Sequence, residues 1–361
     1  MSLPKPRPGI LDLKPYIATH GSSKHAKVIK LSANEGALGP SPKALEAYRS
    51  VAENLHRYPE GGSANLARAI ARKHGIDEAR VICGNGSDEL IEVIIKAFAG
   101  HGDEVVYTEY GFRMFPITTL AHSATPVMAP EKDFTVDLDA ILAKVTDKTR
   151  IVFLANPNNP TGTYKTAEAV KAFHAKLPSD VVLVLDAAYA EFVSKNDYSA
   201  GIELVEQAQN VIMLRTFSKL YALAGLRLGW CYGSPYLIDI LNRVRGPFNV
   251  NLAAQAAGVA ALEDTAFLEK ARSHNEKVMP WTVAELEKLG LKVTPTVTNF
   301  VLVEFPHEAS KNADAALAHL AERGILVREM RSYNLPHHLR FSVGTEDEMQ
   351  QVIAALKELL T

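Results

Sequence analysis

The 361-residue chain reads as an α/β protein, with a large domain built on a mostly parallel sheet covered by helices and a small α+β domain after it. Three observations predict this. Short runs of strand length are apolar on successive residues, as strands covered on both faces must be. Helical patterns separate several of these runs, which is the arrangement of parallel strands joined by crossovers. After about residue 265 a long helical pattern gives way to interleaved strands and helices. The expected division is an N-terminal arm over 1–45 that packs on the small domain or a partner subunit, a large domain over 46–265 and a small domain over 266–361.

The elements follow in order. Pro4, Pro6, Pro8 and Pro15 interrupt the first 34 residues, and a residue without an N–H cannot join a helix interior or a central ladder. "SPKALEAYRSVAENL" (41–55) and "SANLARAIARKHG" (63–75) have helical spacing, with Ser41 and Ser63 as N-caps and Pro42 at a first helical position. "DELIEVIIKAFAG" reads as a largely buried helix ended by Gly100. The strand-like runs are "EVVYT" (104–108), "RIVFLA" (150–155), "VVLVLD" (181–186), "VIMLRT" (211–216) and "RLGWCYG" (227–233), with a helical segment at 164–177. A long helical pattern then covers 265–289. It is followed by "TNFVLVEF", a helix near 312–323, "GILVREM", "LRFSVG" and a last helix at 346–360.

Composition narrows the function classes. A formal net charge of -2 gives no global case for nucleic acid or an anionic membrane. The first residues lack a continuous apolar stretch and do not read as a signal peptide. Cys83 and Cys231 form no CxxC pattern, so a reducing cytoplasm is the simplest expected compartment. The adjacent His337 and His338 have no second cluster with ligand spacing and read as a polar loop, so no metal is expected.

Chemistry concentrates at the predicted strand ends, where open α/β sheets bind ligands. "RIVFLA" runs into "NPNNPTG", "VVLVL" into "DAAY", and "VIMLRT" into "FSK". Lys219 can condense with an aldehyde through its neutral amine, provided burial and cationic neighbours lower its pKa. Ser218 and Arg227 suit a phosphate, while Ala224 and Gly225 allow close backbone approach. Asp186 either caps the next turn or pairs with a protonated ring nitrogen. Ala188 is small enough to lie under a ring, and Tyr189 and Asn159 can reach a ring oxygen, although "NPNNPTG" is also an ordinary turn sequence. In "CGNGSDEL", Gly84, Gly86 and Ser87 precede a strong helix whose free N–H groups would face an anion. Glu89 breaks the dinucleotide fingerprint, and no Gly-Lys-Ser/Thr follows for a P-loop. An amine, a carboxylate, a small ring floor, oxygen donors and an anion cup together suit pyridoxal 5'-phosphate.

The chain resembles the fold-type I pyridoxal-phosphate aminotransferases, and more closely the histidinol-phosphate aminotransferase family. The likeness runs through "LSANEGALGPSP", "RYPEGG", "GNGSDELI", "NPNNPTGT", "DAAYAEF", "TFSKLYALAGLRLGW", "PFNVN" and "LRFSVGT". It implies an aspartate-aminotransferase-like fold and a homodimer with shared active sites. By the resemblance, Lys219 links covalently to the cofactor and then moves the proton, Asp186 keeps the pyridine nitrogen protonated, and Asn159 and Tyr189 bond the ring oxygen. Gly86, Ser87, Ser218 and Arg227 would hold the phosphate, with Asp88 beside them. Phe112, favoured over Tyr110, would stack on the ring. Tyr58 would reach the phosphate in the neighbouring subunit. Arg340 would bind the substrate carboxylate, with Arg328 and Asn34 as further substrate-binding candidates. Ala187 stands where the family often has Glu, at a position expected to face away from the ring. Gly36 follows Asn34-Glu35 where Pro is usual, so the loop near the substrate is expected to differ. The implied activity is transfer of an amino group between histidinol phosphate and 2-oxoglutarate in histidine synthesis. The alternatives are an aromatic amino-acid aminotransferase, a decarboxylase of a phosphorylated amino acid and a cofactor-binding regulator.

Overall fold

A computed structural model describes residues 3–4, 6–7, 10–13 and 28–361. Fourteen strands occur among the described residues. They are Ile29–Leu31 (β1), Val81–Gly84 (β2), Glu104–Thr108 (β3), Thr125–Ala129 (β4), Glu131–Lys132 (β5), Thr135–Val136 (β6), Thr149–Ala155 (β7), Val182–Asp186 (β8), Val211–Thr216 (β9), Gly229–Gly233 (β10), Lys292–Val293 (β11), Phe300–Glu304 (β12), Ile325–Glu329 (β13) and His338–Ser342 (β14).

Seven strands form one sheet in the order β2-β10-β9-β8-β7-β3-β4. Neighbours from β9 through β4 pair in parallel, and β10 alone runs antiparallel to both its neighbours. The continuous apolar runs are explained by cover on both faces. Val152, Leu154, Leu183, Leu185 and Met213 enter one buried cluster, while Ile151, Phe153, Val182, Val184 and Ile212 enter another on the opposite face. A second sheet, β1-β13-β14-β12-β11, carries a separate core that includes Val301, Val303, Leu339 and Phe341. Within the N-terminal segment, β1 pairs in parallel with β13, and Ile29 and Leu31 enter that second core. Residues 1–2, 5, 8–9 and 14–27 of the expected arm lie outside the described residues.

The predicted helices occur, with two differences of physical interest. Ser41 caps the helix Pro42–Ser50 by accepting from the Ala44 N–H at 3.1 Å. Ser63 makes no such side-chain bond, and its φ of 54° lies in the left-handed region. Glu60 replaces it, accepting from the N–H groups of Gly62 at 2.7 Å and Ala64 at 2.5 Å. The helix Leu252–Glu263 escaped the sequence reading, because a segment this rich in alanine and apolar nearly all round shows no face.

One buried ion pair ties β9 to the turn after β8. Arg215 donates to Glu191 Oε1 at 2.7 Å, and their side chains are 6% and 9% exposed. Removing one partner leaves an uncompensated buried charge, so Glu191→Ala is expected to lose about 3–5 kcal/mol by urea unfolding. The paired replacement Arg215→Met with Glu191→Leu is expected to lose clearly less, and equal losses would contradict this account.

Candidate active site

The parallel register sets three strand ends side by side. Ala155 pairs with Asp186 across β7 and β8, and Asp186 with Leu214 across β8 and β9. The loops beyond them, with the start of the helix Gly86–Phe98, enclose a cavity of about 230 Å³. Ser87, Asp88, Phe112, Asn159, Asp186, Ala188, Tyr189, Ser218, Lys219 and Arg227 all line it. Ala187 is 1% exposed and faces the core behind, as its expected orientation requires.

Two groups in the cavity are shifted by burial in opposite senses. The Lys219 amine is pushed down to about 8 by desolvation, with the Arg340 and Arg227 charges adding and Asp88 opposing. Its Nζ donates to the Ala33 carbonyl at 3.1 Å and sits 5.7 Å from the centre of the Tyr189 ring. Asp186 is pushed up to about 7 by desolvation, and its Oδ1 accepts from the Ala188 N–H at 3.2 Å. A cationic partner set against this buried carboxylate would favour its charged form and offset the desolvation.

At the other end lies an anion cup. Arg227, with φ at 53°, turns its guanidinium back over the loop. It donates to Asp88 Oδ2 at 3.0 Å, to the Ala224 carbonyl at 3.0 Å and to Ser218 Oγ at 3.4 Å. A Cβ on Gly86, whose φ is +81°, would come 2.5 Å from Arg227 Nη2. A Cβ on Gly229 would come 2.5 Å from the Ser87 nitrogen. Both glycines keep clear the space where guanidinium and helix N–H groups converge.

The remaining predicted residues fall around this cavity at different distances. Asn34 donates to the Tyr189 hydroxyl at 2.9 Å and is itself held by Ser342 on β14 and by Asn299 just before β12. Arg340, buried on β14, donates to Asn159 Oδ1 and, at 2.8 Å, to the Ser32 carbonyl. Arg328 lies directly opposite Arg340 in the β13–β14 pairing, so the two side chains share a face. None of the three expected substrate-binding residues, Asn34, Arg328 and Arg340, lines the cavity itself, and Tyr110 packs on Phe134 at 5.6 Å. Tyr58 is 82% exposed and stacks on Phe248 at 4.7 Å, away from this chain's own cavity. Glu35 and Thr216 also line the cavity without having been singled out from the sequence, since neither residue type is unusual in its local motif.

Comparison with known proteins bears directly on this arrangement. The family described as aminotransferase class I and II matches residues 26–356. The chain belongs to the class I and II aminotransferases. A histidinol-phosphate aminotransferase of Paramagnetospirillum magneticum is 53% identical to this aminotransferase over 361 residues, covering 100% of the chain and 99% of the relative. A crystal structure of histidinol-phosphate aminotransferase from Sinorhizobium meliloti, in complex with pyridoxal-5'-phosphate, matches with a TM-score of 0.92 and 31% identity over 99% of this chain and 98% of that one. Aspartate aminotransferase from Thermus thermophilus shares the fold, with a TM-score of 0.81 at 21% identity over 92% and 91% of the two chains. No helix among the described residues of the aminotransferase is long and apolar enough to cross a membrane.

The burial of Lys219 has a measurable consequence. An amine that titrates at about 8 is largely cationic at pH 6 and largely neutral at pH 9. In cofactor-free enzyme, attachment of a pyridoxal-type aldehyde to Lys219 is expected to quicken about tenfold per pH unit below that value and level off above it. Borohydride trapping with peptide mapping reads the rate, and a rate still climbing at pH 10 would return the amine to its ordinary range.

Proposed function

We propose that this aminotransferase binds pyridoxal 5'-phosphate through Lys219 and transfers an amino group between histidinol phosphate and 2-oxoglutarate. The observation that carries the reading is the placement of a lowered-pKa lysine and a buried carboxylate at the ends of adjacent strands, with an anion cup in the same cavity. The residues fit the cofactor. Asp186 supplies the acceptor for a protonated pyridine nitrogen, and that cation would offset the burial of the carboxylate. Asn159 and Tyr189 would donate to the ring oxygen. Ala188 and Phe112 would flank the ring. Ser87, Ser218 and Arg227 would hold the phosphate beside Gly86, with Asp88 orienting the guanidinium.

When bound, the cofactor supplies a conjugated ring that withdraws electrons from the substrate carbon losing its proton. Lys219 Nζ would take that proton and hold it for return. A pKa near the working pH suits the amine for both transfers. Arg340 would bind the substrate anion beside Asn159; Arg328 shares its strand face from outside the cavity lining and would need substrate to extend to it to bind the phosphate or second carboxylate. Asn34 fixes the Tyr189 hydroxyl.

The proposed homodimer rests on Tyr58. Its ring is exposed and stacked on the exposed Phe248, and in the proposed dimer it would reach the cofactor phosphate of a partner subunit. The proposed large domain carries the seven-stranded sheet and the β5–β6 hairpin, and the proposed small domain carries the other sheet, joined by β1 from the N-terminal arm, with the boundary near residue 265.

A panel of amino acceptors with purified enzyme tests the substrate. Imidazole-acetol phosphate is expected to show the highest kcat/KM, and a clear preference for phenylpyruvate would move the enzyme to aromatic amino acids. Lys219→Ala is expected to lose at least roughly 10²–10⁴-fold in turnover while still binding cofactor noncovalently. Mixed dimers of Tyr58→Ala and Lys219→Ala chains are expected to regain activity that neither parent has, and no recovery would remove the shared site.

A further inference from the structure

Glu131 lies outside the cavity, yet it touches both loops that form the cavity's sides. It begins the short hairpin of β5 and β6. Its Oε1 accepts from the Tyr110 N–H at 3.1 Å, in the loop after β3. The same carboxylate accepts from Asn158 Nδ2, at 3.2 Å to Oε1 and 3.4 Å to Oε2, in the loop after β7. Two residues beyond Tyr110 stands Phe112, and next to Asn158 stands Asn159; both line the cavity. Asn158 is fully buried, and its amide oxygen has no partner, so its two contacts with Glu131 orient the side chain.

The hairpin makes further bonds to the same loops. The Glu131 N–H donates to Glu109 Oε2 at 3.3 Å. Thr163 Oγ1 donates to the Phe134 carbonyl at 2.7 Å, and the Phe134 ring packs on Tyr110. A carboxylate is a costly group to place here. Burial holds it at about 7, above the usual carboxylate range, despite bonds from Thr108, Tyr110 and Asn158 that favour its charge. An apolar side chain would fill this space without that cost, but it would accept neither donor.

We propose that Glu131 is a positioning residue that sets the distance between the Phe112 and Asn159 sides of the cofactor slot by accepting one hydrogen bond from each loop. This rests on the reading of the cavity as a pyridoxal-phosphate site. Ring stacking and a hydrogen bond to the ring oxygen must be satisfied by one rigid planar molecule. A carboxylate that bridges the two loops fixes their spacing before that molecule arrives. Glutamine in its place can keep Oε1, on which both donors converge, but replaces Oε2 with a donor facing the Asn158 amide, so it would bridge more weakly than the carboxylate.

The test begins with wild-type enzyme loaded with pyridoxal phosphate and reduced with borohydride. A label on Lys219 establishes the site reading on its own, and no label anywhere overturns that reading and this inference together. Glu131→Ala, Glu131→Gln and Asn158→Ala are then compared as holoenzymes. Glu131→Ala is expected to weaken the visible circular-dichroism band of bound cofactor and to lower kcat/KM about 10- to 100-fold, with Glu131→Gln in between. The double variant Glu131→Ala with Asn158→Ala is expected to lose no more than the worse single variant, as for groups acting through one contact. If Glu131→Ala is insoluble, Glu131→Gln and Asn158→Ala decide the matter by the same two readouts. A Lys219-labelled wild type alongside variants with an unchanged cofactor band and kcat/KM within about twofold overturns the inference alone. Additive losses in the double variant overturn it as well.

Discussion

Parallel pairing of β7, β8 and β9 is the constraint on which the rest of the site depends. Because the strands run the same way, their carboxyl ends open on one edge, and Ala155, Asp186 and Thr216 arrive there together. Each following loop then starts from a fixed point. "NPNNPTG", "DAAY" and "FSK" are far apart in the chain and become neighbours only through that register. The fully buried apolar residues of these strands hold the register, because a slip of one residue would exchange the two faces of a sheet covered on both.

The same burial gives the edge its chemistry. Lys219 and Asp186 both lose solvent, and desolvation disfavours the charged form of each. The amine is thereby brought toward its neutral form and the carboxylate left in need of a cation. Arg227 is treated differently: Asp88, Ser218 and the Ala224 carbonyl all engage it, holding the guanidinium beside the start of the helix Gly86–Phe98. One cavity therefore offers an amine, a carboxylate and an anion cup at separate points.

The second sheet contributes from the opposite side. Arg340 and Ser342 on β14, with Asn299, reach across to Asn159 and to the Asn34 segment. That segment follows β1, which is part of the second sheet, and its Ala33 carbonyl receives the Lys219 amine. Asn34 thus connects the two sheets through the hydroxyl of Tyr189. Gly36 fits this close approach, since a Cβ there would lie 2.6 Å from the Ala222 Cβ.

Much of this was legible in the chain. Continuous apolar runs of strand length determined the parallel sheet, since only two-sided cover tolerates them. Punctuation by glycine, proline, serine and asparagine marked where strands stop, and the polar residues at those stops were the cavity-lining ones. The register of β10, antiparallel between β9 and β2, had no sequence signal, because an apolar strand reads alike in both directions. Nor did the helix Leu252–Glu263, whose residues are apolar on nearly every side. Glu131, the Arg215–Glu191 pair and the hold of Asn34 on Tyr189 were likewise invisible, because each joins ordinary residues across long stretches of chain. The sequence by itself determined which residues carry reactive groups and on which strand ends they sit, because local periodicity and turn chemistry are written in neighbouring residues. Only the tertiary structure decided which buried charges meet, how far each pKa moves and what braces the loops, because those depend on groups brought together from distant parts of the chain.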